Sequence, residues 1–462
     1  MADKRTFCHV ASTLARIMEI TALWLARAQF ALSLNIHVLF AALAMFLGWL
    51  LFFLRWKQWR SPDTAALAAY RFWGRFFALS FFLAFASAVP VLAEIGILWP
   101  PLMARIGNVA GPLLAFGITT LFVTKSVFMG VMLFGQRRVS EPAHLISVFM
   151  VALGLTATVF WGVVLQSWTH APEGIALIDG RFQVVDWGEI ILNPGLGWCL
   201  AQFACGGALT GGFLMIGVSA WQACRRPLLE GERLSFRVGL GVVLAALVAQ
   251  ACILDGVLRL EARFAPAAAA AMVGYDGRGE SSPEPGAFEL SAARPGTARA
   301  GTAPLSRWLG RSAQGDVIGP ADFSPSRLPP VRALYWMTRV ILALWGAMAL
   351  LAIAVTAVMA VRGADPVAQP RVLLRLLAAA TCAGALSWLL CWNLIEAGRS
   401  PYFVAGMLLQ EDVLTDASPG ALAAGLAASA FVYALLLGGF VRLAYHAARY
   451  GVVPVRKAGV KS

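Results

Sequence analysis

Four ionisable side chains stand out in a chain that is otherwise strongly apolar. His37 sits in "LNIHVLF", about a third of the way into an apolar run that continues unbroken to Leu54. Glu94 lies near the end of a second run, Lys125 inside a third, and Glu396 at the end of another in "CWNLIEAGRSPY". Placing such a group in a bilayer costs roughly 2.5–3.5 kcal/mol on insertion scales, so each is a candidate functional group. For His37 two readings stand: a neutral imidazole hydrogen-bonded to a neighbouring helix, or a ligand to haem iron. The second needs only apolar walls, which 28 Phe and 16 Trp can supply, although aromatic residues in membrane helices also simply pack. Glu396 is followed three residues later by Arg399, so both project from one helix face. That arginine could pair with the carboxylate, as a plain interfacial ion pair, or with a haem propionate. An ammonium in mid-membrane, as at Lys125, needs a partner, a water-filled cavity or a lowered pKa.

The elements that carry these groups follow from composition. Of 462 residues 59% are hydrophobic and 13% charged, far outside soluble usage, which makes this a membrane protein. A ~30 Å hydrocarbon core takes about 20 apolar residues per helix. Such runs recur at 29–54, 72–98, 109–135, 143–167, 197–223, 236–258, 332–361, 371–395 and 420–447. The expected fold class is all-α, a polytopic membrane helix bundle with about nine transmembrane helices. An N-terminal segment, 1–28, mixes apolar positions with Arg16 and Glu19 and predicts an interfacial helix over 8–26, with no cleavable signal peptide. Six spans then fill 29–258 and three fill 332–462, with its tail. Between them, 259–331 includes "GYDGRGESSPEPGAFELSAARPGTARAGTAP" and predicts an irregular extracytoplasmic loop, either a tether or a binding lid.

The net charge of +13 is explained by where the basic residues lie, and no nucleic-acid partner is implied. They gather on alternate loops, at Arg55–Arg75, Arg137–Arg138, Arg225–Arg237, Arg362–Arg375 and Arg442–Lys461, whereas the opposite short loops carry only Arg105, Arg181 and Arg399. With nine spans this predicts a cytoplasmic C-terminus and an outside N-terminus, against which only Lys4, Arg5, Arg16 and Arg27 stand. The seven cysteines form no C-x-x-C pair and no haem-attachment motif, so no disulfide framework and no covalently attached haem are expected. No pair of broken helices and no midplane acidic site supports a transporter.

The ordered stretches "RAQFALSLNIHVLF", "YRFWGRFFALSF", "GEIILNPG", "LTGGFLMIGVSAW" and "EAGRSPY" resemble subunit I of the cytochrome bd quinol oxidases, from about Leu25 to the end. The resemblance implies a bacterial cytoplasmic (inner) membrane location, a second membrane subunit of the same oxidase type and contact with membrane lipid. It also implies two high-spin haems, haem b and haem d. His37 matches the axial ligand of one and Glu396 that of the other, while Arg399, Trp392 and Arg27 match positions near the haems.

The departures are as informative. The family's low-spin haem ligands fall on Gln202 and Ile341, its two third-helix glutamates on Gly117 and Lys125, and its quinol-loop lysine and glutamate on Ala268 and Val273. These imply loss of the low-spin haem, of the proton route and of the quinol site together. A lysine in place of a glutamate inverts the local charge and cannot run the same acid–base cycle at neutral pH. Two readings follow. In one, a divergent oxidase subunit reduces oxygen at the His37 and Glu396 haems with electrons from a donor protein. In the other, the chain is a non-catalytic paralogue with a structural, assembly or gas-sensing role.

Overall fold

Residues 2–60 contain no proline, and they form a single helix, α1 (Ala2–Arg60). The segment 1–28 is therefore helical and continuous with the first span, where a separate helix over 8–26 was expected. Pro62 disfavours helix in the residue before it, and Asp63 then starts α2 (Thr64–Leu98) by accepting from the amides of Ala65 and Ala66 at 2.8 and 3.2 Å. Lys57, in the last turn of α1, closes on the same carboxylate at 2.5 Å. The connection is only three residues long, so α1 and α2 are obliged to lie antiparallel against each other.

This is a computed structural model, described over residues 2–275, 308–310, 319–362 and 369–452. Among those residues nine helices or helix groups are long and apolar enough to cross a membrane, and the bundle is all-α apart from two small hairpins. The third span is composite: α3 (Pro100–Val123), a π-helical turn over Thr124–Met129, and α4 (Gly130–Phe134). α5 (Glu141–His170) follows. A hairpin of β1 (Ile175–Ile178) and β2 (Arg181–Val184) turns at Asp179-Gly180, both at positive φ, the signature of a tight two-residue turn. Its buried Phe182 packs on Trp168. The apolar-run reading passed over this hairpin, although its Asp-Gly pair was visible. The short α6 (Trp187–Ile191) leads into α7 (Leu196–Ala223).

α7 is the axis of the bundle, because its glycines let neighbours approach on every side. A Cβ on Gly207 would stand 2.6 Å from the Ala42 carbonyl oxygen, one on Gly211 2.0 Å from the Phe46 ring, and one on Gly206 2.2 Å from the Trp388 ring. α8 (Glu230–Phe264) packs on one side of it, and α10 (Val331–Arg362) packs in turn on α8. The eighth span, α11 (Arg371–Ala379) and α12 (Ala383–Arg399), packs on another, and α13 (Pro419–Tyr450) completes the set against α1.

The segment 259–331 also departs from expectation at its start. α8 continues to Phe264, and α9 (Pro266–Val273) is a buried helix built on an alanine run, with strong helix propensity and little bulk. Arg339 of α10 donates to the carbonyls of Met272 and Val273 at 2.6 and 3.0 Å and so caps its C-terminal end. Most of the glycine- and proline-rich stretch lies outside the described residues.

Candidate functional site

The α1–α2 pairing sets His37 beside Ala84 and Ser87. Its Nδ1 lies 3.0 Å from the Ala84 carbonyl oxygen and 3.3 Å from Ser87 Oγ. A carbonyl can only accept, so Nδ1 carries the proton and Nε2 keeps its lone pair. Nε2 has no hydrogen bond among the described residues. Fixing one ring nitrogen on a backbone carbonyl is how proteins orient an imidazole that ligates through the other.

His37 lines an apolar cavity of about 310 Å³, at the small end of the roughly 300–1,000 Å³ usual for ligand sites. The walls come from α1, α2, α3, α5 and α12, with Phe403 of β3 (Tyr402–Val404) closing one end. Lining residues on α3 run from Leu102 to Leu121, about 28 Å along the axis at 1.5 Å per residue. The cavity is thus elongated. Glu396, Arg399, Trp392 and Gln166 line the same space as His37, so residues 359 apart in sequence share one cavity. Gly117 lines it as well.

Around Glu396 the cavity wall turns polar. Oε2 pairs with Arg399 Nη2 at 2.5 Å, Oε1 accepts from Gln166 Nε2 at 3.4 Å, and His170 Nε2 lies 3.5 Å from Oε1. Arg399 also donates through Nη1 to the Phe403 carbonyl, which ties the β3 strand to the end of α12. Behind His170, Glu261 of α8 approaches Nδ1 at 3.9 Å. Glu261 and His170 are both buried, and among the described residues Glu261 Oε2, His170 Nε2 and Arg399 Nε have no hydrogen-bond partner. Arg399 thus pairs with Glu396 directly, while Glu261 reaches the cluster through His170, and the donor capacity left over leaves room for a further cationic or donor group. The apolar walls, the free imidazole nitrogen and the carboxylate suit a haem: His37 and Glu396 have the donor chemistry for iron, and Arg399 Nε is free for an anionic substituent.

Other candidate residues lie elsewhere. Arg27 does not line the cavity; its side chain stands over the Trp24 ring, with Nε buried and without a hydrogen-bond partner among the described residues. Lys125 sits in the π-helical turn on the outer surface of the bundle, its ammonium 4.4 Å from the centre of the Phe85 ring. Of the three options weighed for a mid-membrane ammonium, the first is the one seen: the Phe85 ring is the partner, through a cation–π contact. Gln202 accepts from Gln250 at 3.0 Å and lies beside Cys391, while Ile341 packs in the apolar cluster that also holds Cys391. Ala268 is buried within α9. His170, Glu261 and Gln166 were missed by sequence reasoning. Glu261 had a signal, since it continues the buried i, i+4 stripe of Ile253 and Val257 on α8.

Fold and site together define a polytopic membrane protein built around an apolar cavity with one imidazole and one carboxylate donor. A family model described as cytochrome bd terminal oxidase subunit I matches residues 25–452, and the chain belongs to that family. It is 28% identical over 223 residues to the cytochrome bd ubiquinol oxidase subunit 1 of Bacillus subtilis (strain 168), covering 48% of this chain and 47% of that protein. It is 27% identical over 270 residues to the cytochrome bd-II ubiquinol oxidase subunit 1 of Escherichia coli (strain K12), covering 58% and 52%. The matched stretches span about half the length of these relatives. The fold is similar to that of the bd oxidase from Geobacillus thermodenitrificans, with a TM-score of 0.79 at 18% identity over 93% of this chain and 99% of that one.

Proposed function

We propose that this chain is the haem-bearing subunit of a bd-type terminal oxidase of the bacterial inner membrane, passing electrons to oxygen at a high-spin pair of haem b and haem d. The observation that carries the reading is the shared cavity, with His37 Nε2 free at one part of it and Glu396 at another. His37 would hold one haem iron through Nε2, with the Ala84 carbonyl setting the ring's orientation. Glu396 would hold the other, and Arg399 aims that carboxylate by a 2.5 Å pair while its Nε would remain available to a propionate. Trp392 forms an apolar wall beside it, and Arg27, outside the cavity, would act at its margin. When bound, the haem pair supplies the one-electron chemistry that takes oxygen to water with four electrons and four protons. Val91, Leu113 and Phe403 are among the apolar side chains that line the site.

The low-spin haem is absent in this reading. Gln202 is committed to Gln250, and Ile341 offers no donor, so neither end of an axial pair is available. With no low-spin relay, electrons would arrive from a donor protein, and a second membrane subunit would complete the complex. A reduced-minus-oxidised spectrum of the purified chain tests this: high-spin b and d features are expected without a low-spin band. His37→Ala should remove one high-spin component, and an unchanged spectrum in that variant would overturn the ligand assignment. Gly117 and Lys125, which bring no carboxylate to the third span, favour the second reading, a non-catalytic structural, assembly or gas-sensing subunit. A chain that purifies without any haem would support it.

A further inference from the structure

Glu94 takes no part in the cavity, although Val91 and Ile95 beside it line the wall. It lies on α2 one turn from the end at Leu98 and is buried, meeting Gln29 and Ser33 of α1 and lying beside Tyr433 of α13. Oε1 accepts from Gln29 Nε2 at 3.2 Å and from Ser33 Oγ at 2.8 Å. Three other oxygens at the same junction are buried without a hydrogen-bond partner among the described residues: Glu94 Oε2, Gln29 Oε1 and Tyr433 Oη. Among the described residues no cationic side chain pairs with Glu94, and Tyr433 is the one other titratable group that faces it, since Gln29 and Ser33 carry no charge.

An ionised carboxylate here would sit in the bilayer with no counter-charge and with one oxygen bare. A neutral acid removes both defects. The hydroxyl on Oε2 becomes a donor, and Gln29 Oε1 is the vacant acceptor of the side chain already bonded to Oε1. The two bonds then close a ring between carboxylic acid and amide. α13 covers this ring closely: a Cβ on Gly425 would stand 2.8 Å from Gln29 Oε1, which leaves no space for a hydrated ion. We propose that Glu94 is a membrane-buried proton-binding site, neutral at pH 7 and closed against the Gln29 amide, with the Ser33 and Tyr433 hydroxyls as the groups through which its proton exchanges. The site needs no haem and stands independently of the oxidase reading.

Infrared difference spectroscopy of the purified chain at pH 7, wild type minus Glu94→Gln, tests it. A protonated-carboxyl C=O band should be present in the wild type, absent in the variant and moved to lower wavenumber in D2O. Glu94→Gln should also keep the wild-type thermal midpoint, because an amide can make the same two bonds, whereas Glu94→Ala should lower it. Ionised-carboxylate bands in the difference spectrum would overturn the proposal, and so would a response of those bands to added sodium, which would make the ligand a metal cation. Gln29→Met gives a second route should Glu94→Gln fail to fold. Loss of the amide donor should shift the C=O band to higher wavenumber, and an unmoved band would again overturn the proposal.

Discussion

The eighth span carries Glu396 and Trp392, and its seat on α7 depends on the absence of a side chain at Gly384. A Cβ there would lie 2.1 Å from the Leu209 carbonyl oxygen, 2.4 Å from its carbonyl carbon and 2.7 Å from the Thr210 nitrogen. All three are backbone atoms of a central helix and cannot swing aside. Restoring ordinary contact at 3.4 Å requires the two helices to part by about 1.3 Å. Overpacking of this kind costs about 1–3 kcal/mol, against a helix-propensity gain of about 0.5–1 kcal/mol for alanine over glycine. Gly384→Ala should therefore destabilise the chain by about 1–2 kcal/mol net. Glu396 lies twelve residues further along the same helix, about 18 Å at 1.5 Å per residue, so the displacement is carried to the cavity.

Gly346 of α10 is the matched control, since a Cβ there meets nothing within 4 Å. Only the propensity gain remains, and Gly346→Ala should be neutral or slightly stabilising. Thermal unfolding of both variants at one scan rate in the same detergent, with bound haem per chain measured in parallel, separates the two cases. Lower stability and reduced haem content are expected for Gly384→Ala alone. Indistinguishable variants would refute both the helix seat and its link to the carboxylate.

Two further expectations rest on pairs at opposite ends of the bundle. Arg399→Gln strips Glu396 of its guanidinium and should cost stability toward the lower end of the about 3–5 kcal/mol found for breaking a buried pair, since Glu396 is 20% exposed; adding Glu396→Gln should recover part of that loss, and a double variant no more stable than Arg399→Gln would show that the pair is uncoupled. At the α1–α2 turn, burial works against the charged form of Asp63, but the Lys57 ammonium and the Ala66 and Ala65 amides outweigh it and hold the carboxyl below its usual range. A depressed folded-state pKa gives stability that is present above the unfolded value, roughly 3.9, and is lost as pH falls through the folded one. Asp63→Ala should thus cost about 1 kcal/mol at pH 7, with the gap to wild type narrowing below about pH 4 in thermal unfolding; a gap constant with pH would sink the account.

What could be read beforehand divides along physical lines. The spans were legible because each apolar run must bury or face lipid along its whole length, and their ends because Pro62, Asp63 and Pro100 act on the backbone locally. His37 and Glu396 were visible as exceptions to apolarity, yet nothing in their spacing brings them to one cavity; that depends on glycines of α7 admitting α1 and α12 together. His170 and Glu261 were hidden for a different reason. Both stand at helix ends, where polar residues normally meet water, and Glu261 is flanked by Arg259 and Arg263, which do. The helical period separates them: Asp255 and Arg259 pair on one face, while Ile253, Val257 and Glu261 share the buried one. Lys125 is the converse, an ammonium whose surroundings depend on a π-helical turn that re-aims the helix face and that no residue pattern announces. A charged residue at a helix end in such a chain is therefore a candidate site residue whenever it falls on the apolar stripe, and by that criterion Glu261, which reaches Glu396 through His170, belongs to the same cluster.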